Sequence, residues 1–185
     1  MAARERETGT VLQPQMPEPL SLNQTRTTMA NNMEETAEVI NDLIKINNDR
    51  IAGYQRAINE SKDLDVDLKG MFEGMIRESE QYKSELNSQL GRLGAQADTG
   101  TTLSGKIYRA WMDVKATFTG SSRKAILENC EFGEDAWRRA YESALSSDAE
   151  LDPQLRQLIT EQYNSEKSSH DLIKKYRDAH EAMDK

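Results

Sequence analysis

"ENCEFGEDAWRRAY", residues 128–141, holds four acids in its first eight positions. At 100° per residue, Leu127, Cys130, Trp137, Tyr141 and Ala144 fall on one side of a helix. Glu134 falls at the middle of that stripe, four residues after Cys130 and three before Trp137, with Glu131 at its edge. Glu128, Asp135 and Glu142 point outward and need only solvent. An amphipathic helix turns its apolar stripe toward a core, so the spacing predicts a carboxylate inside that core.

The segments on either side read as further helices. Helix C covers about Arg123 to Leu145, with Ser121 or Ser122 as its cap. After "SSDAELDP", helix D begins near Pro153, a residue suited to a first helical turn, and runs to about His180. Helix A runs from about Met33 to Ser61 on the stripe Ile40, Leu43, Ile44, Ile51, Tyr54 and Ile58. Helix B runs from about Asp65 to Leu93 on Leu68, Met71, Phe72, Met75, Tyr82, Leu86, Leu90 and Leu93. The break between A and B is short, which predicts an antiparallel pair. About 28 residues separate B from C, too many for a tight turn. They include "KIYRAWMDVKATF", a short amphipathic helix with Ile107, Trp111, Val114 and Phe118 on one side. A connection that spans the bundle allows helix C to start at the same end as helix A. The expected fold is an all-α four-helix bundle with a long B–C crossover carrying a short helix, over residues 33–185.

Residues 1–32 carry three of the four prolines, many amides and threonines and no periodicity. They are expected to form a flexible N-terminal tail. A docking peptide anchored by Leu20 and Leu22 is the alternative.

Composition narrows the function. Apolar content is 36%, charged content 30% and net charge −8. A chain so acidic is repelled by phosphate backbones and anionic headgroups, so neither nucleic acid nor a membrane surface is the expected partner. The start has no apolar leader, no run approaches the ~18 apolar residues of a membrane span, and Cys130 is the only cysteine. A cytoplasmic location is expected. A Gly-rich phosphate loop, a Cys-x-x-Cys pair and a Gly-x-Ser-x-Gly elbow are all missing from the sequence.

Other helices break their stripes as helix C does. On helix D the inward positions between Ile159 and Ile173 are Gln162, Glu166 and Ser169, with His170 at the margin. Helix A has Asn47 between Leu43 and Ile51. Helix B has Ser79 between Met75 and Tyr82, with Glu78 at the edge. If the C–D turn is centred near residue 150, Glu134 and Glu166 are level. If the A–B turn is centred near residue 63, Asn47 and Ser79 are level. Both pairs lie about 16 residues, ~24 Å, from their turns. With the turns at opposite ends, four helices contribute to one mid-bundle polar layer. Facing carboxylates at low dielectric share a proton, pair with cations or bind a metal. In the first reading Asn47, Arg50, Tyr54, Ser79, Tyr82 and Gln162 satisfy the acids and fix helix register. The second is a metal site, iron or manganese, with Glu134, Glu166, His170, Glu131 and Glu78 as candidate ligands. A small-molecule pocket is the third.

"LIKINNDRIAGYQRAI", "SGKIYRAWMDVKATFTG", "AILENCEFGEDAWRRAYESAL" and "HDLIKKYRDAHE" resemble an uncharacterised bacterial family of the ferritin-like superfamily, over about residues 35–180. The resemblance implies a ferritin-like fold and no established activity. Di-iron members of that superfamily place a Glu on helices A and C and Glu-x-x-His on B and D. Here helix C supplies Glu134 or Glu131. Helix D supplies Glu166 and His170 four apart, helix B supplies Glu78 without a histidine, and helix A supplies Asn47. The only histidines are His170 and His180, so a two-histidine di-iron site of that pattern is not present. The expected function is a non-catalytic bundle in interaction or stress-related housekeeping, a candidate homo-oligomer. The alternative is a metal-binding bundle with a degenerate di-iron site.

Overall fold

The computed structural model describes residues 21–62, 65–95, 106–114 and 122–183, and is all-helical over them. There are four long helices, α1 (Leu22–Glu60), α2 (Val66–Arg92), α4 (Arg123–Leu145) and α5 (Pro153–Met183), and one short helix, α3 (Lys106–Val114).

The helix ends follow local chemistry. Ser21 caps α1 through a capping box: its hydroxyl accepts from the Gln24 amide at 3.3 Å, and its own amide donates to the Gln24 side chain at 2.9 Å. This start corrects one expectation. Residues 22–32, assigned above to a flexible tail, are the first three turns of α1; residues 1–20 lie outside the described residues. Ser122 caps α4 by accepting from Ala125 N–H at 3.1 Å. Asp152 accepts from Leu155 N–H at 2.8 Å, with Pro153 opening α5. α2 stops where Gly94 adopts a φ of +72°, which lets Ala95 N–H reach back to the Leu90 carbonyl at 3.2 Å.

Cross-helix bonds fix the topology. Arg50 on α1 reaches Glu78 and Ser79 on α2, so α1 and α2 run antiparallel about the 62–65 turn. Thr36 near the start of α1 bonds the Glu150 carbonyl beyond α4, and Arg50 bonds Glu134. Arg123, at the start of α4, pairs with Asp65 and Asp67 at the start of α2. Helix α4 therefore runs antiparallel to α1 and parallel to α2, and α5 returns antiparallel to both α4 and α2. The expectation that helix C starts at the same end as helix A is overturned. α2 ends level with the first buried turn of α1, near Thr36, so a connection that crosses the whole length delivers the chain to the end where α1 finishes. The long crossover itself stands.

Helix α3 lies on α1 and α4, part-way along that crossover. Asp42 of α1 accepts from the Tyr108 amide at 3.0 Å, in the first turn of α3, where unsatisfied N–H groups favour an anion. One heptad along α1, Asp49 accepts from Trp111 Nε1 at 2.9 Å and Tyr108 OH at 3.2 Å. Ile107 and Trp111 are buried; the expected partners Val114 and Phe118 have no described side chains.

The apolar interior is two clusters. One is built on Ile40, Leu43, Leu86, Leu90, Trp137, Tyr141 and Ile159. The other is built on Tyr54, Leu68, Phe72, Ile126, Leu127 and Ile173. Between them lie the buried polar residues Asn47, Arg50, Ser79, Glu134, Gln162 and Glu166.

Candidate functional site: a buried polar layer

Each of the four long helices presents polar side chains at this height because each breaks its apolar stripe there. Arg50 is the hub. It follows Asn47 by three residues and precedes Tyr54 by four, so all three share one face of α1. Its Nε and Nη2 grip the two oxygens of Glu134 at 2.8 and 3.0 Å. Nη1 and Nη2 reach Glu78 Oε2, both at 3.1 Å, and Nη1 donates to Ser79 Oγ at 2.8 Å. The five N–H groups of a guanidinium are thereby all engaged. The guanidinium also lies 5.4 Å from the Trp137 ring centre and 5.5 Å from that of Tyr54.

Tyr54 OH donates to Glu134 Oε1, already an acceptor from Arg50. On the outer side of Glu78, Ser169 Oγ donates to Oε2 at 3.1 Å. A neutral chain runs beside this centre. Trp137 Nε1 donates to Asn47 Oδ1 at 3.2 Å, Asn47 Nδ2 donates to Tyr141 OH at 2.8 Å, Tyr141 OH donates to Gln162 Oε1 at 2.9 Å, and Gln162 Nε2 donates to Glu85 at 2.8 Å.

Glu166 completes the centre from α5. Arg138 Nη1 donates to its Oε2 at 2.9 Å, and its other oxygen, buried, has no conventional partner among the described residues. That oxygen belongs to a carboxyl adjoining Glu134, so a proton on it has a carboxylate to bond. Burial and the neighbouring Glu134 push the Glu166 carboxyl up to about 9, against the weaker pull of Arg50 and Arg138. Burial pushes Glu134 the same way, but the Arg50 charge and the bonds to its oxygens outweigh it and hold that carboxyl below the usual range. The two acids therefore divide the work, with Glu134 the anion and Glu166 the proton holder at neutral pH.

The expected ligand residues separate into two groups. Glu78, Glu134 and Glu166 gather around Arg50. Glu131 faces Arg177, and His170 Nε2 lies 3.0 Å from Asp135 on the outer side of α4. Among the described residues no group of three or more His, Cys, Asp or Glu side chains is arranged to hold a metal ion. The donor set fits a bound guanidinium: two of the three gathered carboxylates are ligands of Arg50. Burial, reinforced by Glu134, raises the Cys130 thiol far above its ordinary range, leaving it a small core side chain. A cavity of about 220 Å³ opens beside the layer between α1 and α4, with Gly53, Tyr54, Trp111, Phe132 and Gly133 in its walls.

Arg50 appeared above only among several groups able to satisfy the acids, and its central role was not read. Arg138 and Arg177 were not read at all. Their Cα positions lie at the flanks of their helices, and a long side chain reaches either way from there. The seven-residue spacing of Asp42 and Asp49, on the side of α1 away from its stripe, was the available sign of where α3 docks.

These features define an all-helical protein whose core is divided by an arginine-centred polar layer. The family described as Domain of unknown function (DUF2383) matches residues 35–147, and the chain belongs to it. The matched segment contains α2, α3, α4 and all of α1 from Glu35 onward, so Arg50, Glu78, Ser79 and Glu134 lie within it and Glu166 beyond it. No curated protein matches the chain. No described helix is long and apolar enough to cross a membrane.

Proposed function

We propose that this protein is a non-catalytic, ferritin-like four-helix bundle of the bacterial cytoplasm that works by association, with itself and with partners in stress-related housekeeping. The ferritin-like part rests on the order of the helices: two antiparallel hairpins, α1–α2 and α4–α5, with a crossover that leaves α2 and α4 parallel. The non-catalytic part rests on one observation, the engagement of all five Arg50 donors by Glu134, Glu78 and Ser79. A monovalent organic cation covalently tied to α1 stands where a metal-binding bundle would hold an exchangeable one. A second reading, a metal-binding bundle with a degenerate di-iron site, is favoured by the unpartnered buried oxygen of Glu166. It requires Arg50 to withdraw from two carboxylates in a buried layer, which is costly.

The test is elemental analysis of untagged protein purified from cells supplied with iron and manganese, together with oxygen uptake on adding ferrous iron. The proposal expects metal far below one ion per chain and no protein-dependent oxygen uptake. Stoichiometric iron or manganese that survives dialysis would overturn it and establish the second reading.

A further inference from the structure

Helix α5 is the most thinly anchored of the long helices. Three of its 31 residues, Leu155, Ile159 and Ile173, are buried and apolar, whereas the 23-residue α4 buries eight. Between Ile159 and Ile173, ~21 Å of helix, the buried side chains are Gln162 and Glu166. α5 packs chiefly on α4 and only lightly on α2. Its flanking pairs with α4, Arg177 with Glu131 and His170 with Asp135, lie near the surface, where such pairs contribute little. α1, α2 and α4 share an apolar core of their own in Ile40, Leu43, Leu86, Leu90, Trp137 and Tyr141.

The middle of α5 is therefore held through Glu166. From α4, Glu134 and Arg138 face it; from α1, Arg50; from α2, Glu78 closes the far side of Arg50. Tyr54 and Tyr82 border the layer as uncharged phenols, both raised by burial. Arg50 is taken up by Glu134, Glu78 and Ser79, so the cation bonded to Glu166 is Arg138. With a proton between them, Glu166 and Glu134 meet as a hydrogen-bonded pair. Without it, two anions meet across the α4–α5 interface at low dielectric.

We propose that α5 is a releasable helix, which opens from the other helices as a unit and is locked closed by the proton between Glu166 and Glu134. Opening places Glu166 in water, where it ionises near its ordinary 4.5 rather than near 9, so between these values each pH unit makes opening about tenfold more frequent. This goes beyond the association reading above and does not rest on it.

The test is hydrogen exchange of the full chain, followed by mass spectrometry from pH 5.5 to 8.5 and corrected for the intrinsic pH dependence of exchange. In wild type, residues 158–176 exchange through openings about tenfold or more as frequent as those of the middle of α1, α2 and α4. Those openings respond more weakly to urea, because release exposes less surface than global unfolding. Their frequency rises about tenfold per pH unit, and in Glu166→Gln the rise shrinks to less than about twofold per unit. Comparing the two proteins cancels whatever His170 adds. Glu166→Met, likewise without a proton to hold, gives the same reading if the glutamine variant does not fold. One protection level and one urea response shared by α5 and α4 would overturn the release. A variant that keeps the wild-type pH slope would overturn the proton lock.

Discussion

Replacing Glu166 by glutamine should stabilise the protein, although Glu166 is completely buried and bonded to an arginine. In the unfolded chain this carboxyl ionises around its ordinary value of 4.5; in the fold it holds its proton up to about 9. Between those values the folded state binds more protons than the unfolded state, so this group makes stability fall as pH rises through the window. Each pH unit above 4.5 costs ~1.4 kcal/mol, about 3 kcal/mol at pH 7. A glutamine has the shape of the protonated acid. Its NH2 donates toward Glu134 where the carboxyl proton does, its oxygen accepts from Arg138, and no proton is drawn from solvent on folding. Allowing for imperfect amide orientation, the gain at pH 7 is ~1–3 kcal/mol. Urea unfolding followed by circular dichroism at fixed protein concentration, repeated from pH 5.5 to 8.5, gives the difference in unfolding free energy between the two proteins. That difference should grow toward high pH by up to ~1.4 kcal/mol per unit. A Glu166→Gln protein less stable than wild type at pH 7, or a difference flat with pH, would refute the protonated state of Glu166 and the division of roles with Glu134.

Further outcomes follow from the same geometry. Arg50→Met strands Glu134 between two apolar clusters and should cost about 3–5 kcal/mol at pH 7. The deficit should shrink at pH 5.5, where protonating the stranded carboxyl is easier; equal deficits at both pH values would mean that Glu134 is not left as an anion. Glu134→Gln should cost nearly as much as Glu134→Ala in the same assay, because both oxygens of Glu134 accept from donors and an NH2 group would face one of them; a near-neutral glutamine would show that Arg50 has another anion to turn to. At the other face of α1, Asp42→Ala removes the acceptor at the start of α3 and should loosen that helix by ~1–2 kcal/mol. Hydrogen exchange at residues 106–114 should quicken while α2 stays protected, and unchanged exchange would show that Ile107 and Trp111 suffice to hold α3.

The polar layer was legible because periodicity exposes its own violations. Asn47, Ser79, Glu134, Gln162 and Glu166 each stand where the stripe calls for an apolar residue, and equal distance from the turns brought Glu134 beside Glu166. The Ser122 cap and the first-turn Pro153 were legible from local chemistry. The direction of α4 was not. It depends on where the long connection ends, and the reading joined a full crossing of the bundle to a return to the start of α1, which exclude one another. The start of α1 was missed although Ser21 and Gln24 form a recognisable capping box. The surrounding prolines and amides hid it, and the segment has no packed face of its own to supply a clear period. Which cation satisfied the acids was also beyond periodicity, since spacing places the Cα of Arg50 on the inward face without saying that its guanidinium ends there.

An arginine at the hub does something that neither a proton nor an apolar replacement would do. Its planar fork ties α1 to α4 through two bonds to Glu134, and to α2 through Glu78 and Ser79, so the relative heights of three helices are set by one group. Sliding α1 one turn along α4 in one direction would bring Arg50 level with Cys130, inside an apolar cluster. Sliding it the other way would bring Arg50 level with Arg138, a like charge. Either slip leaves a buried ion without its partner, a penalty of several kcal/mol. The net charge of the centre reinforces this. Arg50 and Arg138 balance Glu78 and Glu134, and the proton on Glu166 removes the fifth charge. A divalent ion added to this set would face two cations already in place, and an apolar substitute for Arg50 would leave an anion. What the geometry of the layer favours is one helix register over its neighbours.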